Sequence, residues 1–400
     1  MSNKPLSGIR ILDLTHMLSG PYGAMILADL GADVIKVEPL EGEGTRKLLA
    51  KDPANSIDGM GAYFLTLNRN KRSVCIDLKS ADGLELFYQL VEQSDIVINN
   101  FGAGVPQRLR IDHASLAARN PRIISCSVTG FGSTGPHCQR PAFDQVAQAI
   151  GGGMSITGTN AETPVRAGIP IGDLGGGAFS VMGILAALVE RERSGQGQDV
   201  DISMVDCQIS LLNYMATMHF LSGENPTPIG NAHFVHVPYN SYRVQDGFII
   251  VAVITDNFWH NLKDVVNVPA FADARYDFQP GRLADKAFID GKLAEIFATN
   301  TQAHWLAQLE AKRIPCAPVN NFGQALRDPQ VLHRNMVVDL KHPNGQTTRV
   351  PGSPLKFSRT NEESYTSPPL LGQHTDEVLT SLLGMPAERV SALRAQQTIR

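Results

Sequence analysis

The stretch Gly168-Ile169-Pro170-Ile171-Gly172-Asp173-Leu174-Gly175-Gly176-Gly177 sets one carboxylate, Asp173, between an apolar run and three consecutive glycines. An apolar helical pattern over 176–193 follows at once. A carboxylate at a helix start can accept a backbone N–H as a cap, stabilising the helix by about 1 kcal/mol. It can also be a nucleophile. Gly175, Gly176 and Gly177 are poor helix formers, each costing about 1 kcal/mol against Ala, so a compensating role is expected of them. Small residues let a bulky reactant approach closely. The positive end of a helix favours an ionised carboxylate, the form a nucleophile needs. On these residues alone both readings stand, and one side chain can serve both.

Other polar side chains fall near predicted strand ends: Lys71, Arg72, Lys79, Asn100, Arg108 and Arg140. Singly, each reads as a solvated surface group. Together they suit an anionic, phosphate-bearing ligand. Competing chemistries fail on context. The first β-α-β unit ends at Glu38, but the loop after its first strand lacks G-x-G-x-x-G. That spacing does occur at Gly130, Gly132 and Gly135, where Pro136 follows and no helix start waits for a pyrophosphate. His233 and His236 have no third metal ligand at a useful spacing. Cys126 lies in an apolar strand pattern and reads as core. No G-x-S-x-G nucleophile elbow is present.

The elements that must position these groups alternate. Strands are expected at 9–14, 33–38, 73–77, 95–99, 123–128 and 198–203, with helices at 21–30 and 81–93. Alternation of this kind predicts an α/β fold with an open, doubly wound parallel sheet. Ligands bind such sheets beyond the carboxyl ends of strands, so the loops at 16–21, 100–104 and 129–136 are candidates. A mostly apolar helix is expected at 204–221, a linker at 223–228 and a β-hairpin at 239–254 turning at 245–247. Helices are expected at 284–297, 301–312 and 375–383, and a strand-like stretch at 350–357. The expected domains are 1–222 (large domain, N-terminal part), 223–330 (small domain) and 331–400 (C-terminal return to the large domain).

Composition narrows the class. The chain has 400 residues, 43% hydrophobic and 18% charged, a balance that supports a sizeable core. A net charge of −4 argues against nucleic acid as a partner. Five scattered cysteines without C-x-x-C spacing read as reduced thiols, and the first residues show no signal-peptide pattern. No apolar run reads as a membrane span of roughly 18–20 residues. A cytoplasmic protein with no membrane partner is therefore expected.

The chain resembles the family III CoA-transferases, the group of formyl-CoA transferase and carnitine CoA-transferase (CaiB/BaiF). The resemblance covers nearly the whole chain. It rests on Ile11-Leu12-Asp13-Leu14-Thr15, Gly20-Pro21, residues 30–38, Asn70-Lys71-Arg72-Ser73, Asn100-Phe101-Gly102, Gly130-Phe131-Gly132, Gly172-Asp173, Gly195-Gln196-Gly197-Gln198 and Val200-Asp201. It implies that Asp173 is the catalytic aspartate, passing through an acyl-aspartyl anhydride and an aspartyl-CoA thioester. It implies CoA contacts from Leu18 and Ser19; from Ile76, Asp77, Leu78 and Lys79; from Asn100, Phe101, Gly102 and Arg108; and from Arg140, Pro141, Ala142, Phe143 and Asp144. The Gly175 and Gly176 backbone is expected to supply oxyanion donors. No cofactor is bound permanently, and CoA enters as acyl-CoA substrate. The large domain is expected to be Rossmann-like and built from both chain ends, beside a small α+β domain, in an interlocked homodimer.

The sequence departs from the formyl-CoA transferase pattern at three places. Pro39 stands where that enzyme has an arginine, Leu18 replaces a glutamine, and residues 253–256 hold no glycine where it has a mobile glycine loop. These differences argue against formyl-CoA and oxalate. General similarity to succinyl-CoA-using members points to succinyl-CoA as donor and a small carboxylic or dicarboxylic acid as acceptor. The α-methylacyl-CoA racemases of the same superfamily carry a Gly-His-Asp motif. Ala142-Phe143-Asp144 stands there, and phenylalanine takes no proton. A non-catalytic CoA-binding protein is the other alternative, and such a protein has no use for Asp173.

Overall fold

The computed structural model describes residues 4–360 and 362–400. The chain divides into two compact units. One holds the chain up to Gly153, Arg166–Gly223 and Gln330–Arg400, and the other holds Met154–Val165 and Glu224–Pro329. The stretch Met154–Val165 thus belongs with the middle unit, whereas the expected boundaries put it in the first domain.

The first unit is built on six parallel strands: β1 (Arg10–Asp13), β2 (Asp33–Glu38), β3 (Lys71–Cys75), β4 (Ile96–Asn99), β5 (Ile124–Thr129) and β6 (Asp199–Ser203). Their order is β3-β2-β1-β4-β5-β6, the order of the doubly wound nucleotide-binding sheet. The period-2 alternation of strand side chains splits them between two cores. Leu12, Ile35, Val37 and Val97 face one, and Ile11, Val34, Ile96 and Ile98 face the other.

Helices cover both faces. They include α1 (Ser19–Asp29), α2 (Ala81–Glu92), α3 (Asp144–Ile150), α4 (Ile171–Ser194), α5 (Met204–Leu212) and α6 (Tyr214–Ser222). Helix α2 is capped by the Ser80 hydroxyl, which accepts the Gly83 N–H, and buries Leu84, Phe87, Leu90 and Val91 at helical spacing. The C-terminal residues Val378, Leu379, Val390, Leu393 and Ile399 complete the same core. The helix expected over 204–221 breaks at Asn213, whose φ of 50° lies outside the helical region, leaving α5 and α6 as separate helices.

Helix α4 starts at Ile171, so Gly175, Gly176 and Gly177 lie inside it. Their low helix propensity is overridden by packing. A Cβ on Gly177 would stand 2.5 Å from the Ser19 carbonyl oxygen, and one on Gly23 would stand 2.9 Å from the Gly177 carbonyl oxygen. These two glycines let α1 and α4 cross almost backbone to backbone. Gly177→Ala is therefore expected to destabilise the protein by at least about 1–3 kcal/mol in denaturant unfolding. Gly175→Ala, whose Cβ would meet only Leu211 at 3.4 Å and Cys207 at 3.8 Å, is expected to be neutral or to gain up to about 1 kcal/mol. Equal effects of the two substitutions would remove this reading of the crossing.

By length and composition α4 could cross a membrane, which the sequence reading did not anticipate. Its buried residues, among them Ser180, Val181, Ile184 and Ala187, pack into the core shared with β4, β5 and α1, the position of a central helix in a folded domain.

In the second unit, strands β7 (Tyr239–Val244), β8 (Gly247–Ala252) and β9 (Cys316–Pro318) form an antiparallel sheet in the order β9-β8-β7. The expected hairpin is present, and Val244 pairs with Gly247 across its turn. The sheet packs on helices that bury Trp259, Phe297 and Trp305. In the first unit, Val337–Lys341 and Thr347–Pro351 pair as a separate hairpin.

Candidate active site

Strands β1 and β4 are neighbours whose chain connections leave in opposite directions, so a crevice opens beyond their carboxyl ends. Asn100 ties the two loops there. Its Oδ1 accepts the His16 N–H at 2.9 Å and its Nδ2 donates to the His16 carbonyl at 2.7 Å. Met17 follows at φ 64°, a left-handed conformation costly for a side chain of this type and over-determined here by the clamp.

Buried charge holds this loop from below. The Lys71 ammonium donates to Asp13 Oδ2 at 2.8 Å, with both side chains wholly buried. The Lys36 ammonium donates to the Thr15 carbonyl at 2.7 Å, and the Thr15 N–H donates to Asp13 Oδ1 at 2.9 Å. Burial alone would raise the Asp13 carboxyl, but Lys71 and Lys36 outweigh it and hold it below its ordinary value. Burial pushes Lys71 down to about 8 against the pull of Asp13. Lys71 is thus a structural cation inside the fold, and Arg72 pairs with Asp33 and Glu377. Neither is available to a phosphate, contrary to the sequence expectation. A strand-end lysine looks the same in sequence whether it faces water or a buried carboxylate.

Asp173 sits in the first turn of α4, but it is not the cap. The cap arrives from elsewhere in the chain. Asp144, at the start of α3, places Oδ1 2.8 Å from the Gly172 nitrogen and 3.3 Å from the Asp173 nitrogen, accepting both N–H groups. A Cβ on Gly172 would stand 3.0 Å from that oxygen. Ser19 fixes the other side of the residue, its hydroxyl donating to the Asp173 carbonyl at 2.9 Å. The Asp173 carboxylate itself accepts no hydrogen bond from the described residues. Burial, and then the Asp144 charge, raise it from 3.8 to about 6. That difference is on the order of 3 kcal/mol between protonation states, more than the roughly 0.3–1 kcal/mol by which a helix N-terminus favours the anion.

Asp173 and most of the expected site residues line one cavity of about 630 Å³. Leu18, Ser19, Asn100, Phe101, Gly102, Arg140, Pro141, Ala142, Phe143 and Asp144 are all on its wall. Phe143 is 68% exposed, so the racemase-histidine position presents a phenyl ring at the cavity. Ile76, Asp77, Leu78 and Lys79 line a second cavity of about 570 Å³, and His16 and Phe101 line both. Arg108 is exposed and lines neither. Gly175 and Gly176 also stay out. They are buried against Leu211, Cys207, Ser19, Met204 and Val128, and their N–H groups lie past the unpaired first turn of α4. Packing accounts for Gly176, where a Cβ would stand 2.6 Å from the Ser19 hydroxyl oxygen, whereas Gly175 has room for one.

Sequence reasoning missed two groups on the wall of the first cavity. Tyr63 comes from the short helix Ala62–Leu67, where no motif marks it. Burial, then the Asp173, Glu43 and Asp144 carboxylates, hold its phenol above the ordinary range, so it stays an O–H donor on the cavity wall it shares with Asp173. Arg166 lies seven residues before Asp173 and donates to the Ala167 and Gly168 carbonyls at 2.9 and 3.1 Å. No carboxylate of the described residues pairs with Arg166 or Arg140. The Arg140 guanidinium lies 5.2 Å from the Phe131 ring centre.

Known proteins resemble the chain over nearly its whole length. The chain is 37% identical over 388 residues to a succinate–glutarate CoA-transferase of Agrobacterium fabrum, covering 94% of this chain and 96% of that protein. It is 38% identical over 383 residues to a succinyl-CoA:mesaconate CoA-transferase of Haloarcula hispanica, covering 94% and 95%. A solved CaiB/BaiF family structure from Brucella suis superposes with a TM-score of 0.85 at 34% identity, covering 95% of this chain and all of that one. The family described as CoA-transferase family III matches residues 6–375, a span that includes the six-stranded sheet, both cavities and Asp173. With a doubly wound sheet, a carboxylate at its switch point and a match over nearly its full length, the chain belongs to the family III CoA-transferases.

Proposed function

We propose that the protein moves CoA from succinyl-CoA to a small dicarboxylic acid through covalent intermediates on Asp173. The observation that carries this reading is the Asp173 carboxylate, unengaged by hydrogen bonds and facing a cavity large enough for an acyl thioester. An Asp173 carboxylate oxygen attacks the thioester carbon, the C–S bond breaks, and CoA leaves as a thiolate, forming a mixed anhydride. The thiolate attacks the aspartyl carbonyl and releases the donor acid, leaving an aspartyl-CoA thioester. The acceptor carboxylate attacks that carbonyl and frees the thiolate. Attack of the thiolate on the acceptor's acyl carbon then gives the new acyl-CoA and restores Asp173. Tyr63 is placed to donate its O–H to the developing oxyanion.

In this reading the adenosine end of CoA lies in the second cavity, with Lys79 for the phosphates, and the chain passes His16 and Phe101 to reach Asp173. A second copy of the chain covers the exposed apolar side chains of α5 and α6, where Phe220 and Leu221 are 81% and 84% exposed, giving the interlocked homodimer. Arg166 takes the distal carboxylate of the acceptor, a group that the names of the relatives above share: succinate, glutarate and mesaconate. The test is a panel of acids with succinyl-CoA. Dicarboxylates of four or five carbons should be the best acceptors. Arg166→Ala should raise their KM by about tenfold or more while leaving monocarboxylates within about threefold. Equal loss on both acid classes would remove the assignment of Arg166, and absence of any transfer from succinyl-CoA would remove the donor.

A further inference from the structure

We propose that Asp144, anchored by Gln148, is a positioning residue for the transfer: it caps the helix of the nucleophile from outside and aims Asp173 into the cavity. The inference rests on Asp173 as the nucleophile and goes beyond it to what holds that nucleophile in place.

Helix α4 begins without a side-chain cap of its own, since Pro170 occupies the cap position. Its first N–H groups need acceptors. Asp144 Oδ1 supplies one oxygen to two of them, the Gly172 and Asp173 N–H groups. Asp144 Oδ2 accepts from Gln148 Nε2 at 2.7 Å, one turn further along α3. Gln148 is 1% exposed, and its Oε1 accepts the Ala167 N–H at 2.9 Å. The pair therefore grips the chain on both sides of the 168–171 stretch. The amide of Gln148 fixes the carboxylate of Asp144, which fixes the backbone of the nucleophile. Ser19 holds the carbonyl of the same residue. With both backbone polar groups of Asp173 held, its side chain needs no tether and stays free to react.

Asp144 is also the negative charge that, after burial, raises Asp173. Two carboxylates sharing a pocket oppose ionisation of the second, which makes it a more basic nucleophile. When Asp173 becomes a neutral anhydride or thioester, that repulsion is relieved. The other titratable or charged groups on the wall are His16 from the β1 loop, Tyr63, Cys138, Arg140, and Arg166 from the segment entering α4.

Three variants test this, with far-UV circular dichroism and thermal melts showing that each is folded. Asp144→Ala removes cap and charge, and its kcat should fall about a hundredfold, a larger effect than any rise in the KM for acyl-CoA. Asp144→Asn keeps an acceptor oxygen for α4 but no longer accepts from Gln148. It should lose about tenfold in kcat, and the acid limb of its kcat/KM profile should move to lower pH. Asp144→Asn with Gln148→Glu restores the pairing in reverse, amide donating to carboxylate, and the second oxygen of the introduced carboxylate still accepts the Ala167 N–H. It should recover most of the kcat lost by the single Asn variant. An Asp144→Ala enzyme with wild-type kcat and an unmoved acid limb, or a double variant no better than the single, would overturn the proposal. Failure of the nucleophile assignment is separable, because it would appear as transfer by Asp173→Asn in the wild-type background.

Discussion

Asp173→Asn is expected to cut CoA transfer by at least about a thousandfold while making the protein more stable at neutral pH. Both effects come from the same carboxylate. It is the only side chain in this reading that can form the acyl bond, and an amide oxygen does not replace it. Its charge is also a burden to the fold, because burial and Asp144 raise it from 3.8 to about 6. Between about pH 4 and 6 the folded protein keeps a proton that the unfolded chain has lost, so stability falls as pH rises through that window. Above about pH 6 the cost is complete. With solvent screening discounted, removing the charge should gain about 1–2 kcal/mol at pH 7, a rise of a few degrees in melting temperature. The gain should vanish as the pH approaches 4. The wild-type kcat/KM should drop about tenfold per pH unit below pH 6, because only the carboxylate attacks. Intact mass spectrometry after incubation with acyl-CoA and hydroxylamine reads the chemistry directly. Hydroxylamine attacks the activated aspartyl carbonyl and leaves a hydroxamate on Asp173, displacing thiolate or acid. Wild-type enzyme should carry that adduct and the Asn variant should not. Transfer at wild-type rates by Asp173→Asn would sink the mechanism.

What the sequence disclosed follows from how local each signal is. The short apolar runs around Ile11, Val34 and Ile96 are local patterns, near-continuous because both faces of these strands are buried, and their alternation with helices led to the correct sheet class. The loops beyond β1 and β4 followed from that sheet. Asp173 was legible as a reactive candidate through its glycine-rich setting, but the reasons attached to that setting were partly wrong. The glycines read as room for a reactant, yet Ser19 and α1 occupy that room at Gly176 and Gly177, and Gly175 faces Leu211 and Cys207. Their weak propensity led to the expectation of a compensating role, and tertiary packing starts α4 at Ile171 with all three glycines inside it. The helix dipole pointed to an ionised Asp173, yet burial and Asp144 decide its ionisation. The cap itself was not visible, because it is supplied by a residue 29 positions earlier, a spacing no local motif encodes. Tyr63 was missed for the same reason: only the folded chain brings Ala62–Leu67 to the wall that holds Asp173.

Lys71→Met should be the most damaging substitution outside the cavity, costing about 3–5 kcal/mol in denaturant unfolding. The Lys71 ammonium uses all three of its donors inside the protein: Asp13 Oδ2 at 2.8 Å, Asn68 Oδ1 at 3.1 Å and the Pro21 carbonyl at 3.2 Å. Through them it joins the end of β1, the chain entering β3 and the first turn of α1. Methionine fills the volume but leaves the Asp13 carboxylate wholly buried without its closest counter-charge. The penalty comes from that orphaned charge more than from the net worth of the pair. A second substitution separates the two. Asp13→Asn on top of Lys71→Met removes the charge and keeps an acceptor for the Thr15 N–H, so most of the lost stability should return. Function should not return with it. Thr15 begins the loop that carries Met17 and Leu18 into the cavity, and α1, which starts at Ser19, supports the helix of Asp173. The double variant should therefore fold well yet transfer CoA at least about tenfold more slowly. A Lys71→Met protein within about 1 kcal/mol of wild type would show that Lys36 alone satisfies Asp13, and the buried pair would lose its place in the argument for how the loop is held.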